Sequence, residues 1–452
     1  MQMSRRAILE MGALGAAALA MGREPASAQP PAPAAVEPQD RVFIANSDSN
    51  TISVIDPRTN TVETTINLTS FDEDPRSPFR FAEGGVASPH AAMISKPLYR
   101  GAIGLHGLAP SPDNRVLATA GRGSNNVYLI DVVGKRVIGN TPNPQGGPTS
   151  NPERVTSGIL VGREPYGLTF TRNARELWVT LRGEDRVAVI DVEAALKGTP
   201  GALRLFVVTL NGPSHVWFSA DGGLAFVASQ KAARVDVLFV NADAQGRSRP
   251  SHLTTLDISA EDPVGFTPFL KTSPDGTELW LTHKLADRVS VRSARGPHAL
   301  LDTLTLGAQA QPNHLEFVEN ARGKVVYVSQ ARVDDRGPGE PASSQITIVD
   351  RSGPPGSRKV AGAFFSRGRQ AHGLWTNPSN TLLYVAHEQD EAAGTTNAGQ
   401  AVASAFDVTN PMSPVFLAQI PLGLLALPSG GLRNKRSTSL VYVRPGARSQ
   451  TA

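Results

Sequence analysis

Nine histidines occur in the chain of 452 residues, and six of them fall at two equivalent places of an internal repeat. His106, His215, His314 and His372 stand, within one residue, at the start of the segment that opens a repeat, while His283 and His387 end the segment that follows it. Neutral imidazole is a ligand for copper, zinc or iron, and several such rings around one axis could fill three or four coordination positions of copper or another transition metal. One position after the second column stand Arg122, Arg182, Gln230, Lys284 and Glu388, with Arg332 displaced by a residue. Guanidinium and ammonium groups gathered at one opening attract carboxylate or phosphate, so a small anionic ligand is the second chemistry this spacing allows. Glu388 beside His387 could act as a general base or as a metal's carboxylate.

The elements that must position these groups are strands. FIANSDSNTISVID from Phe43, LWVTLRGEDRVAVID from Leu177 and LWLTHKLADRVSVRS from Leu279 share one plan, with weaker copies near Val116, Leu224, Val325 and Leu383. The plan is an apolar strand, a short polar loop and an alternating strand closing on Asp. Recurrence at roughly forty to sixty residues marks a propeller or solenoid, because one such unit cannot bury its apolar faces alone. SPDN from Ser111, SADGG from Ser219 and SPDG from Ser273 read as tight turns between a first strand a and a second strand b, since Pro presets one torsion and Asn or Gly tolerates positive φ. Strands c and d complete a four-stranded antiparallel blade.

Seven blades are expected, giving an all-β, seven-bladed β-propeller over residues 41–448. Strand a begins near His106, Tyr166, His215, Thr267, His314 and His372 in blades two to seven, and blade one starts at its strand b, RVFIAN. The C-terminal TSLVYVRPGA from Thr438 matches the pattern of YGLTFTRNA from Tyr166 and is expected to supply the missing strand, which closes the ring and leaves no open edge. Both His columns then face one mouth of the central channel. FDEDPRSPFRFAEGGVASPHAAMISKPLYRG, within residues 70–102, is long enough to cover that mouth, and two lengthened b–c loops after Arg332 and Glu388 emerge on the same rim. IGNTPNPQGGPTSNPER is placed in a c–d connection on the opposite rim.

FIANSDSNTISVIDPRTNTVETTINL, together with the HGL–SPDN segments, resembles the YVTN repeat, so the chain is similar to exported seven-bladed propellers of that family over nearly its whole length. The resemblance implies an architecture shared with lactonase-type propellers, the haem-binding propeller of nitrite reductases and nitrous oxide reductase, whose copper cluster is held by His around the axis. In this chain Tyr166 and Thr267-Pro268 stand where a complete ring of His would continue, which limits the implication to a mononuclear site. The other reading is that His at the head of strand a belongs to the repeat itself and bonds the neighbouring blade.

Residues 1–28 have the layout of a twin-arginine signal peptide: Arg5-Arg6, an apolar stretch from Ala7 to Met21 and the small-residue site Ala26-Ser27-Ala28. A Pro/Ala-rich linker follows over 29–40, and a periplasmic location is expected. The chain has no Cys, which excludes disulfides, thiol nucleophiles and covalent haem attachment. A net charge of +4 and the lack of basic runs outside GLRNKRSTS argue against nucleic acid. No G-x-S-x-G elbow or HExxH is present. Three functions remain: an exported binding or scaffold protein engaging a small anion, a metal ion or a partner protein; a metal- or haem-dependent oxidoreductase; and a lactonase-like hydrolase using His387, Glu388 and Arg122. Whether the chain is an enzyme stays open, no membrane span is expected in the mature form, and a closed ring favours a monomer.

Overall fold

In the blade of Pro165–Phe170, Glu176–Leu181, Arg186–Asp191 and Leu203–Val208, the first three strands are buried almost throughout and the fourth is half exposed. Strands a, b and c are covered on both faces by neighbouring blades and so read as continuous apolar runs, whereas strand d forms the rim. Six further sheets of the same kind follow the chain, and the computed structural model is a seven-bladed β-propeller of four-stranded antiparallel blades. It describes residues 36–68, 103–138, 158–199, 201–427 and 430–451. The expected signal peptide, most of the linker and the segment 70–102 lie outside the described residues.

Tight turns are built as the sequence implies. In the a–b turns, Asn114, Gly222 and Gly276 have φ of 56°, 73° and 66°. Ser111, Ser219 and Ser273 each donate their hydroxyl to the carboxylate two residues on, at 2.7, 2.5 and 2.6 Å. The blades pack through apolar faces, as where Trp178 meets Phe218 edge-on at 5.2 Å.

Closure follows the expected route. Ser437–Val443 pairs antiparallel with Arg41–Asn46, matching Val42 to Tyr442 and Ile44 to Leu440, and becomes the innermost strand of blade one. Two departures concern insertions. Arg136–Ile138 and Ile159–Leu160 both pair with Asn126–Asp131, so the segment between them interrupts strand d of blade two rather than preceding it. A hairpin of Leu424–Leu427 and Gly430–Arg433, unforeseen from the repeat, stands between blade seven and the closing strand.

Candidate functional site

Strand a lines the bore, and its first residues set six rings side by side. Tyr166 stacks on His106 with centroids 3.8 Å apart, His106 meets His372 edge-on at 5.9 Å, and His372 lies 4.6 Å from His314. Phe269 stacks on His314 at 4.3 Å and on His215 at 4.4 Å. The ring residues come from blades three, two, seven, six, five and four, while blade one offers only Thr438 and Ser439. Two registers are needed to build this circle. His106, Tyr166 and His372 each precede a glycine, and a side chain at those glycines would strike the next blade: a Cβ on Gly167 would lie 2.6 Å from His215 Nδ1, and one on Gly373 2.9 Å from Ser439 Cα.

Burial keeps these imidazoles neutral. It lowers His215 to about 3 and His372 to about 4, and it holds His106 and His314 well below the ordinary range, with Arg122 adding to the effect on His106 and the neighbouring His372 to that on His314.

His283 and His387, expected at the same mouth, sit inside the blade walls. His283 bonds Thr267 Oγ1 through Nδ1 at 2.8 Å and Ser290 Oγ through Nε2 at 2.7 Å, with Asp262 Oδ2 3.6 Å from Nδ1. His387 lies 3.0 Å from Ser366 Oγ and 3.2 Å from the carbonyl of Val402, and a Cβ on Gly368 would stand 2.5 Å from its ring. Side chains alternate along a strand, so the column that ends strand b turns into the sheet packing and the next residue turns to the axis. For the same reason Thr267 serves His283, and Phe269 takes the place in the ring.

The column after it forms a collar above the ring. Arg182 lies over Tyr166 at 4.8 Å, 3.2 Å from Glu164 and 3.0 Å from Gln230 Oε1. Arg122 stands 5.9 Å from the same ring and donates to Ser47 Oγ at 3.3 Å. Lys284 donates to Asn313 Oδ1 at 2.6 Å. Glu388 Oε1 is 3.2 Å from His372 Nε2, and its other oxygen is 3.3 Å from Arg436 Nε. Burial opposes the charge on Glu388, yet His372, Lys284 and Arg436 outweigh it and hold its carboxyl below the usual range. Arg332 instead pairs with Asp334 at 2.7 Å and donates to the carbonyl of Ala308.

Arg436, Glu164, Asn313 and Phe269 were absent from the sequence reading of the site. Arg436 lies in the basic GLRNKRSTS segment just before the closing strand, the one clue that could have found it.

The arrangement does not fit a metal. Phe269 separates His215 from His314 and stacks on both, Tyr166 stacks on His106, and among the described residues no three His, Asp or Glu side chains are grouped to hold an ion. The cavity beneath the ring, between Tyr166 and Trp217, is about 30 Å³, room for water and far below a haem. What the mouth can do is gather a small anion among its cations, beside a carboxylate held by an imidazole.

No family model matches the chain. A 6-phosphogluconolactonase of Sodalis glossinidius is 25% identical over 190 residues, which cover 41% of this chain and 54% of that protein, so the chain spans about half the length of this curated relative. The periplasmic gluconolactonase PpgL of Pseudomonas aeruginosa superposes with a TM-score of 0.54 at 15% identity, covering 90% of this chain and 99% of that one. Hydrazine synthase of Kuenenia stuttgartiensis superposes with 0.52 at 14% identity over 77% of this chain and 97% of that one. At these identities the two structures establish the propeller fold.

Proposed function

We propose that the protein is an exported lactonase-like hydrolase acting on the lactone of a small, negatively charged sugar acid. The observation that carries this reading is the contact of His372 Nε2 with Glu388 Oε1 at 3.2 Å inside a mouth bearing Arg122, Arg182, Lys284 and Arg436. His372 Nε2 donates its hydrogen to Glu388 Oε1 and fixes that carboxylate as the base, since the other ring nitrogen is shielded from solvent. Water attacks the lactone carbonyl as Glu388 takes its proton. The ring C–O bond breaks, the same proton passes to the departing alkoxide, and a hydroxy acid results. His372 keeps Glu388 in place meanwhile, and Arg122 with Arg182 faces the charge that develops on the carbonyl oxygen.

Support also comes from the names of the relatives, a 6-phosphogluconolactonase and a periplasmic gluconolactonase, and export rests on the arrangement of residues 1–28. The test is hydrolysis of 6-phosphogluconolactone and glucono-δ-lactone by the mature chain. We expect turnover of both, faster with the phosphate, and loss of turnover in His372→Ala.

The collar equally supports a simpler role, a binding protein for a small anion. Calorimetric binding of gluconate or 6-phosphogluconate without any lactone opening would decide for that role and against hydrolysis.

A further inference from the structure

At the other mouth, where the a–b turns gather, a cavity of about 300 Å³ opens onto a second layer of strand-a residues: Trp217, Lys271, Glu316 and Trp375. Trp217, Lys271 and Glu316 lie two residues beyond His215, Phe269 and His314, so strand alternation turns them to the axis one layer deeper. Lys271 and Glu316 are 3% and 1% exposed, and the ammonium sits 2.9 Å from Glu316 Oε2, 4.5 Å from the Trp375 ring and 5.3 Å from that of Trp217. Arg172 lies over Trp217 and donates to the carbonyls of Phe218, Ser219 and Gln450 at 2.8, 3.1 and 2.9 Å. Gln450 accepts from Lys271 through its side chain.

Two buried polar atoms of this wall make no hydrogen bond of ordinary geometry, Glu316 Oε1, an acceptor, and Trp217 Nε1, a donor, although the Glu316 carboxylate also interacts with Gln450 and the Phe317 N–H. Buried polar groups are nearly always bonded, and an orphaned pair of opposite sense on one cavity wall marks a place where a ligand completes the bonding. The deepest charges of the wall are paired. Lys271 and Glu316 neutralise each other, Arg172 is engaged by main-chain carbonyls, and Arg448 stands exposed at the rim. A hydroxyl is both donor and acceptor, so it can give its hydrogen to Glu316 Oε1 and accept from Trp217 Nε1. The aliphatic face of a saturated ring packs against indole, whose π face is negative.

We propose that this cavity is a second ligand site, taking a neutral polyhydroxylated ring compound of monosaccharide size. Its volume is at the small end for ligand pockets. The site is distinct from the lactone site, since the bore between the two mouths narrows to a cavity of about 30 Å³.

The experiment is a titration of the full chain with D-glucose, myo-inositol, gluconate and glucosamine, followed by tryptophan fluorescence and calorimetry. Of the four tryptophans, Trp178 and Trp280 are fully buried in the blades, so Trp217 and Trp375 report the cavity. Glucose or inositol is expected to change the emission saturably, with gluconate and glucosamine binding about tenfold more weakly or worse. Trp375→Leu and Glu316→Gln are each expected to weaken glucose binding by about fivefold or more, and Glu388→Gln at the other mouth to leave it unchanged. Thermal unfolding checks each variant, and if Glu316→Gln fails to fold, Trp375→Leu decides. No saturation by either neutral ligand up to about 50 mM, preference for gluconate, or glucose binding lost in Glu388→Gln would each overturn the proposal.

Discussion

Glu388 and His372 meet at 3.2 Å because the first two strands of blade seven carry them to one side of the sheet. Ala371 pairs with His387, so the residue after each turns to the axis together. Glu388 is also the carboxylate on which His372, Lys284 and Arg436 act. It therefore both orients an imidazole and balances the cations of the mouth.

Glu388→Gln keeps the shape of the side chain and removes its charge. Lactone turnover should fall by about a hundredfold or more, the usual order for losing a general acid–base partner. The melting temperature should hardly move, because the group stands at an opening rather than in a blade core. Initial rates with 6-phosphogluconolactone, together with a thermal scan, check both. A large drop in melting temperature with unchanged turnover per folded molecule would make Glu388 a structural residue.

His283 is expected to behave in the opposite way. Both of its ring nitrogens are bonded inside a blade, to Thr267 and Ser290, and truncation leaves two hydroxyls short of a partner around a new cavity. His283→Ala should cost about 2–4 kcal/mol of stability and leave turnover per folded molecule unchanged. Urea unfolding measures the first and active-site titration the second.

The contrast between these two positions shows where the sequence was legible. The turn residues Asn114, Gly222 and Gly276 announced their positive φ by type, and the closing strand announced itself by matching strand a. Side-chain direction was harder. A one-residue irregularity in strand a, as between His106 and Leu108 or Ala371 and Leu374, changes which residue faces the bore, and a column of equivalent letters does not reveal it. His283 and His387 end strand b, where plain alternation turns them into the sheet, and Phe269 was hidden behind Thr267. Arg436 was hidden because blade one takes its strand a from the far end of the chain, so no repeat copy stood beside it. Trp217, Lys271 and Glu316 follow from alternation once the ring is fixed, whereas Trp375 stands three residues beyond His372, across the irregularity of its strand.

The ring closure should be brittle at Asp40. This residue is fully buried, accepts the Tyr442 hydroxyl at 2.6 Å and receives Arg444 at 2.7 and 2.8 Å, so one carboxylate ties strand b of blade one to the chain's last strand. Asp40→Ala removes the acceptor for both and is expected to destabilise by about 3–5 kcal/mol. Urea midpoints measure the loss, and limited proteolysis should release the C-terminal segment first. Cleavage elsewhere would place the weak point outside the closure.

Acid sensitivity should come from the imidazoles. Burial lowers His215 to about 3 and both His372 and His387 to about 4, from an ordinary 6.5. Between pH 6.5 and about 4 the unfolded chain therefore binds protons that the native protein refuses. Stability must fall as pH falls through that window, and these groups add no further loss once the native rings also protonate. His215→Phe tests this without removing the stack on Phe269 at 4.4 Å, and it deletes the ring nitrogen Nε2 that is buried without a partner. The variant should gain melting temperature at pH 5 relative to the parent and change much less at pH 8. An equal shift at both values would mean that packing, not protonation, governs this position.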